Sequence, residues 1–445
     1  MRGLADVLIG TFFRSVEVEN VGALPERAPT IVVAIHRNGL VDGLLLMAAL
    51  PRYPRFLGKS TLFKIPPLWP LLKLAGVVPV YRAADGQSTS QNTAAFSTSR
   101  RILGAGGVLA LFPEGISHDE PRLQALRTGA ARIALETSIE DHVEDVAIVP
   151  IGISYDAKAR FRSRALVRLG TPQPVRPWGS RYGEDPHAAV RAMTDDMADR
   201  LRAVVPDYDS WAEVAYLSLI ADIVTRHVGS PEPEVVDLAR REELVRSLMA
   251  VLSGPDGARR SEPLRAALGR YGQELAMLGV DDGLVAASAG PAQRRTLLAW
   301  PVVKAVAATP VALVGTVVHI VPYEVVKRVA RIPDNDGMRA TVKLLGCLAG
   351  FTTVYAVIAR MVGRRMGRPM GALAFALGPA SGYVTVHFFE RLQRIGGVVE
   401  ATRLARGRRP TLTSVLARRA AVIEAAGALL SLPSPSGQQA GVMTD

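Results

Sequence analysis

Residues 31–43, IVVAIHRNGLVDG, decide how the chain is read. The run from Ile31 to Ile35 is apolar throughout. That is the pattern of a β-strand covered on both faces, and so of a largely parallel sheet flanked by helices. The strand delivers His36 into a loop, and Asp42 opens the helix that follows. In open α/β sheets ligands bind beyond the carboxyl ends of the strands. A histidine there, with a carboxylate a few residues on, suits general base chemistry: the acid fixes the tautomer and supports the imidazolium that forms. The pair alone is weak evidence. The chain has 7 histidines, and an aspartate at any one stated offset arises by chance about one time in twenty. A loop histidine followed by a helix-capping aspartate describes the same residues.

Outward from this stretch, β-rich runs at 16–18, 76–81, 108–112, 146–154 and 166–169 join that at 30–35. Helical stretches alternate with them at 43–50, 67–74, 93–103, 129–136 and 187–204. Residues 16–205 therefore read as one α/β domain. Before it, residues 1–15 read as an amphipathic helix at a membrane interface. Its stripe of Leu4, Val7, Leu8, Ile9 and Phe12 suits packing on the domain as well as it suits a bilayer surface.

Residues 206–292 turn polar and helical, with breaks at GSPEPE and SGPDG, and read as a connecting domain. Residues 293–395 carry three apolar runs, at 297–322, 344–359 and 370–389, the first long enough for a hydrocarbon core. The last two are separated by RMVGRRMGRP, whose arginines suit a membrane surface and whose glycines and proline suit a turn. A buried helical core is the competing description; three such segments in succession favour a membrane-embedded, all-α region. The remainder, 396–445, reads as one more helix and a disordered end, PSPSGQQAGVMTD.

Composition agrees. Hydrophobic residues make up 49% of the 445 and charged residues only 21%, which is apolar for a soluble chain of this length. The net charge of +12 suits an anionic partner: phosphate-bearing substrates, an anionic bilayer face or nucleic acid. The last is disfavoured, because the basic residues are dispersed and aromatics are only 6%. The single cysteine, Cys347, excludes an intrachain disulfide and any CxxC metal cluster. It fits a cytosol-facing domain on a cell membrane. No metal site is expected, since His118, Asp119 and Glu120 are sequence neighbours that seldom converge on one ion.

Three further blocks accompany the first. GVVPVYR, residues 76–82, is a strand ending in the cation Arg82. In FPEGISH, 112–118, Pro113 and Gly115 impose a turn expected to expose Glu114 and to leave backbone N–H groups facing a ligand. In IVPIGISY, 148–155, Pro150 and Gly152 suggest an edge or bulged strand, or the wall of an apolar channel. Each has a bland description as a strand end or surface residue.

In this order HRNGLVD, GVVPVYR, FPEGISH and VPIGI resemble the four blocks of the glycerophospholipid acyltransferase family, over about residues 16–205. The resemblance implies that His36 deprotonates an acceptor hydroxyl with Asp42 as its orienting partner. It implies that Arg82, Glu114 and Gly115 hold a glycerol phosphate, and that Pro150, Ile151 and Gly152 line the acyl site. It implies no cofactor; acyl-CoA or acyl carrier protein is the donor substrate. Two departures stand out. The usual spacing is H-x4-D, whereas five residues separate His36 from Asp42, and the loop containing Gly39 must absorb the extra one. The third block usually continues with Thr/Ser-Arg, where Ile116, Ser117 and His118 stand here. Both are similar to the branch of fungal glycerol-3-phosphate and dihydroxyacetone-phosphate acyltransferases. Arg127, in LRTGAA, is the candidate for the lost cation, and Lys59 a weaker one.

The expected function is thus acyl transfer to glycerol 3-phosphate or a related glycerol phosphate, in phospholipid biosynthesis. The competing expectation is a lipid-binding or membrane-shaping protein of the same fold, silenced by the widened spacing. The absence of a GxSxG elbow argues against a serine esterase.

Overall fold

The computed structural model describes the chain except residues 1, 66–67, 83–86, 88–91, 159, 230–236, 255, 289–293, 334–335, 408 and 431–445. Most of the GSPEPE break and the expected disordered end lie outside the described residues. The chain forms two compact units, one of residues 1–209 with 326–347, the other of 210–325 with 348–445.

The first unit is the expected α/β layer structure. Its strands are β1 (Phe13–Glu19), β2 (Thr30–Ala34), β3 (Pro54–Lys59), β4 (Val78–Val80), β5 (Val108–Leu111), β6 (Ala147–Tyr155), β7 (Ser163–Leu169) and β8 (Gln173–Pro174). They make one sheet in the order β1-β7-β6-β2-β5-β3-β4, with β8 beside β6. From β6 to β4 every neighbour is parallel; β7 is antiparallel to β6. The helices are α1 (Arg2–Phe12), α2 (Leu40–Ala49), α3 (Trp69–Leu74), α4 (Asn92–Gly104), α5 (Gly129–Leu135), α6 (Gly179–Glu184) and α7 (Pro186–Val204).

The apolar run of β2 from Ile31 to Ala34 has its reason in these layers. Successive side chains point to opposite faces. Val32 and Ala34 join the core with α1 and α2, while Ile31 and Val33 join the core with α5 and α7. All five residues of β2 are buried. At about 1.5–3 kcal/mol for each large aliphatic side chain taken from water, a polar residue in this strand would be costly on either face. Residues 2–12 also pack on this unit: Ala5, Ile9 and Phe12 are buried, and only Val7 of the apolar stripe is well exposed.

Two strand readings are corrected. β3 was not expected; Pro51, Pro54 and Arg55 hide its pattern, yet it lies between β5 and β4. β6 is neither an edge nor bulged at Pro150, which pairs in register with Val33 of β2.

The second unit is helical: α8 (Trp211–Gly229), α9 (Leu238–Leu252), α10 (Gly257–Arg260), α11 (Glu262–Leu278), α12 (Asp282–Ser288), α13 (Arg294–Val329), α14 (Asp336–Met366), α15 (Arg368–Gly407) and α16 (Arg409–Leu430), with the stretch 326–347 belonging to the first unit. Asp282, 4% exposed, accepts hydrogen bonds from Arg226, Tyr271 and Arg419, each at 2.8 Å. A carboxylate can be buried at this depth because its charge is matched and its lone pairs are used.

Helices α13, α14 and α15 contain stretches long and apolar enough to cross a membrane: Trp300–Val329, Gly337–Met366 and Arg368–Gln393. Where they touch within the second unit, small residues permit it. A Cβ on Gly315 would meet Thr385 Oγ1 at 2.0 Å, and one on Gly378 would meet the Tyr355 ring at 2.5 Å. His319 is hydrogen-bonded to Tyr355 Oη at 2.7 Å and to the Gly315 carbonyl at 2.6 Å. This is how helices pack where apolar burial alone cannot select a partner.

Candidate active site

Parallel strands end on one side of a sheet, so the loops leaving β2, β5, β3 and β4 share an edge. His36 leaves β2 and Glu114 leaves β5; Lys59 ends β3 and Arg82 follows β4. Tyr155 ends β6 on the same side, because β6 is parallel to β2.

His36 Nδ1 lies 2.9 Å from Asp42 Oδ2. With a carboxylate there, Nδ1 carries the hydrogen and Nε2 is left as the basic nitrogen. The imidazole stacks on Phe112, ring centroids 4.0 Å apart and planes 13° from parallel, and its side chain is 19% exposed. Asp42 is fully buried. Its Oδ2 also accepts the Asn38 N–H at 2.8 Å, and its Oδ1 accepts the Tyr155 hydroxyl. Burial, and then the adjacent Asp42 charge, push the Tyr155 phenol well above its ordinary pKa, which keeps it a donor.

Gly39 lies in the loop between His36 and Asp42. It precedes α2 at φ 52° and ψ −132°, a conformation that glycine alone adopts readily. Space forbids a side chain as well, since a Cβ would sit 2.7 Å from Thr341 Oγ1 and 3.0 Å from the Gly337 carbonyl oxygen. The Leu40 N–H donates to Thr341 Oγ1 at 3.2 Å, so a segment 301 residues downstream backs this loop. The principal argument for a silenced dyad was its spacing, and the two groups nonetheless meet.

The FPEG turn differs from its reading. Gly115 takes φ 72°, as such a turn requires. Glu114, however, is buried at 2% exposure rather than displayed. Its Oε2 accepts the His36 N–H at 2.9 Å; its Oε1 accepts the Gln124 N–H at 2.9 Å and lies 2.7 Å from His118 Nε2. The Glu120 N–H donates to His118 Nδ1 at 3.2 Å, so Nε2 carries the hydrogen and donates to Glu114. Desolvation alone would raise the Glu114 pKa, but His118 and the two backbone donors outweigh it and hold the group below its ordinary value.

The residues standing in place of Thr/Ser-Arg join the same lattice. Gly39 N–H donates to Ser117 Oγ at 3.3 Å, and His118 N–H to the His36 carbonyl at 3.2 Å. Arg127 lies against the turn: its N–H donates to the Pro113 carbonyl at 2.7 Å, and its Cγ lies 3.4 Å from where a Gly115 Cβ would be. Pro150, Ile151 and Gly152 are buried in the middle of β6. The Val204 carbonyl oxygen passes 2.4 Å from a Cβ built on Gly152, so backbone packing accounts for that glycine.

Sequence reasoning missed Tyr155, Phe112, Ser117 and His118 as supports of the dyad. Tyr155 had a signal, as the last residue of the strand beside β2. Thr341 had none.

The acyltransferase family model matches residues 15–154. This stretch is an acyltransferase domain. Over 154 residues the chain is 32% identical to glycerol-3-phosphate O-acyltransferase 2 of Saccharomyces cerevisiae, covering 34% of this chain and 20% of that one. It is 29% identical over 138 residues to glycerol-3-phosphate O-acyltransferase 1 of the same yeast, covering 30% and 18%. An uncharacterised acyltransferase of Schizosaccharomyces pombe is 32% identical over 157 residues, covering 34% and 22%. The chain thus spans about a fifth of the length of these curated relatives. A crystal structure of the 1-acyl-sn-glycerophosphate acyltransferase of Thermotoga maritima aligns with 44% of this chain and 75% of its own, at 21% identity and a TM-score of 0.32. All four blocks of the acyltransferase domain fall within or at the end of the matched region, with His36, Asp42, Arg82, Glu114 and Pro150 inside it.

The Tyr155 contact yields a test. Tyr155→Phe removes one hydrogen bond to a buried charge, an interaction of about 1.5–3 kcal/mol. If that loss falls on the transition state, kcat for acyl transfer is expected to fall about 10- to 100-fold. KM for both substrates should stay within about threefold. A KM rise at constant kcat would assign the hydroxyl to substrate instead.

Proposed function

We propose that the protein transfers a fatty acyl group from acyl-CoA or acyl carrier protein to a hydroxyl of glycerol 3-phosphate or a related glycerol phosphate, in phospholipid biosynthesis. The observation that carries this reading is the His36–Asp42 contact of 2.9 Å at the carboxyl edge of a parallel sheet. The yeast relatives' names supply the acceptor class.

In this mechanism His36 Nε2 takes the hydroxyl proton as the oxygen attacks the thioester carbonyl, and Asp42 stabilises the imidazolium. The tetrahedral oxyanion collapses, the carbon–sulfur bond breaks, and the imidazolium returns its proton to the departing thiolate. No covalent enzyme intermediate is required. Arg82, Lys59 and Arg127 are the cations proposed to meet the acceptor phosphate. Glu114, whose oxygens are engaged by protein donors, serves the site by holding the His36 backbone.

Membrane association belongs to this reading. Along the three apolar helices Val306, Leu313, Val317, Val357, Leu373 and Leu377 are all exposed, a surface suited to lipid. The proposed location is a cell membrane, with the catalytic unit facing the cytoplasm.

Purified full-length protein in detergent, given labelled acyl-CoA or acyl carrier protein with each acceptor in turn, is expected to form an acylated glycerol phosphate. No product with glycerol 3-phosphate, dihydroxyacetone phosphate or lysophosphatidate from either donor would sink the proposal.

A further inference from the structure

Between Asp336 and Glu390 the sequence contains no carboxylate at all, yet Arg360, Arg364, Arg365 and Arg368 cluster where α14 gives way to α15. Uncompensated like charges repel one another, so a cluster of this kind calls for an anion from outside the segment. The structure gives three of the four a shared cavity. A cleft of about 620 Å³ at this junction is walled by Arg360, Arg364 and Arg368, with Gly363, Gly371 and Phe375 among the other lining residues.

The backbone explains the cleft. Gly367 turns the chain at φ 94°, and a Cβ on Gly371 would lie 3.0 Å from Gly363 Cα and 2.6 Å from the Ala359 carbonyl oxygen. The two helices are therefore in direct backbone contact here, and longer side chains rise around that contact as walls. Arg360 and Arg364 stand four residues apart, on one face of α14. Arg368 faces them from the first residue of α15. Among the described residues none of the three forms a salt bridge with a carboxylate. Guanidinium groups bind phosphate oxygens through paired N–H donors. The surroundings are apolar: Phe375 lines the cleft, and Met361, Leu373 and Leu377 are exposed along the same helices.

We propose that this cleft binds an anionic glycerophospholipid, with the headgroup phosphate between Arg360, Arg364 and Arg368 and the acyl chains along α14 and α15. A free phosphate would use the arginines and leave the apolar flanks unexplained. A diacyl lipid uses both. The site is built wholly from the second unit. It rests on the membrane part of the function proposed above and is independent of acyl transfer.

The test titrates full-length protein in a neutral detergent with dioctanoyl phosphatidylglycerol, dioctanoylglycerol and inorganic phosphate, binding being followed by native mass spectrometry. The wild type is expected to retain phosphatidylglycerol saturably and to bind dioctanoylglycerol at least tenfold more weakly. The variant R360Q/R364Q/R368Q should lose at least tenfold in affinity. A charge-matched control, R328Q/R331Q/R391Q, should bind within twofold of wild type. Equal losses in the two triple variants would reduce the effect to diffuse surface charge and overturn the site. So would wild-type binding by the cleft variant, or displacement of the lipid by millimolar inorganic phosphate. Should the triple variant not fold, R364Q alone is read in the same way, with a threefold loss expected and no loss overturning the proposal. Acyl transfer measured on the same wild-type preparation keeps the two proposals apart, since its failure leaves the binding result standing.

Discussion

Replacing His36 by alanine is expected to lower kcat for acyl transfer by about 10²- to 10⁴-fold, the usual contribution of a positioned general base. The reasoning begins with tautomers. Asp42 takes its hydrogen bond from Nδ1, so the nitrogen left to accept the hydroxyl proton is Nε2; Tyr155, the other side chain bonded to Asp42, meets it through a phenol that stays a donor. Folding should survive: the ring is partly exposed, and although its loss removes the stacking contact with Phe112 and one hydrogen bond to the buried Asp42, that carboxylate keeps the Asn38 N–H and the Tyr155 hydroxyl. The unfolding midpoint is therefore expected within a few degrees of wild type. Residual turnover from positioning alone would remain measurable against the thioester's own hydrolysis. Undiminished kcat in a folded His36→Ala protein would end the general base assignment. Loss of folding together with activity would move His36 from chemistry to structure.

The second large effect is expected at Glu114, and on stability as much as on rate. Glu114→Ala would strand the His36 and Gln124 N–H groups and the His118 ring donor in a buried site. At about 1–3 kcal/mol for each unsatisfied buried group, the loss should total roughly 3 kcal/mol or more, a large part of a typical domain's stability. Activity should fall with it, because the His36 backbone loses its anchor. The charge has a pH signature. Since the folded pKa lies below the ordinary carboxylate value, Glu114 contributes stability above about pH 4.5 that is lost as pH falls through the folded pKa. Glu114→Gln should flatten that acid-side dependence. Thermal unfolding of both variants from pH 3 to pH 7 tests the assignment. Wild-type stability with a raised KM for the acceptor would instead make Glu114 a substrate ligand, the role that the family resemblance implied.

Much of this was legible in the sequence for a physical reason. β2, β5 and β6 are buried on both faces along most of their length, so the runs 31–34, 108–111 and 147–153 carry no polar side chain. The dyad was legible because both of its members lie in one short loop and the helix after it. What escaped was whatever depends on strands meeting in space. β3 tolerates Arg55 and Lys59 because only Pro54 and Phe56 of its residues are buried. Pro150 looked like an edge residue, yet it sits inside the sheet, pairing with Val33, while its carbonyl takes the Gly170 N–H at 2.8 Å. The turn residues of FPEG were read correctly as a turn. The destination of the Glu114 side chain depended on donors from the His36 loop and from Gln124, which no local pattern announces.

The buttress that Gly337 and Thr341 give the loop around Gly39 has a genetic consequence. Chain order and spatial order differ in this protein, because residues 326–347 pack with residues 1–209. Any recombination or truncation point between residues 210 and 325 would part the histidine loop from the threonine that holds its backbone. Exchanging the carboxyl-terminal helices would therefore alter the support of the His36 loop, although His36 and Asp42 themselves stayed in place.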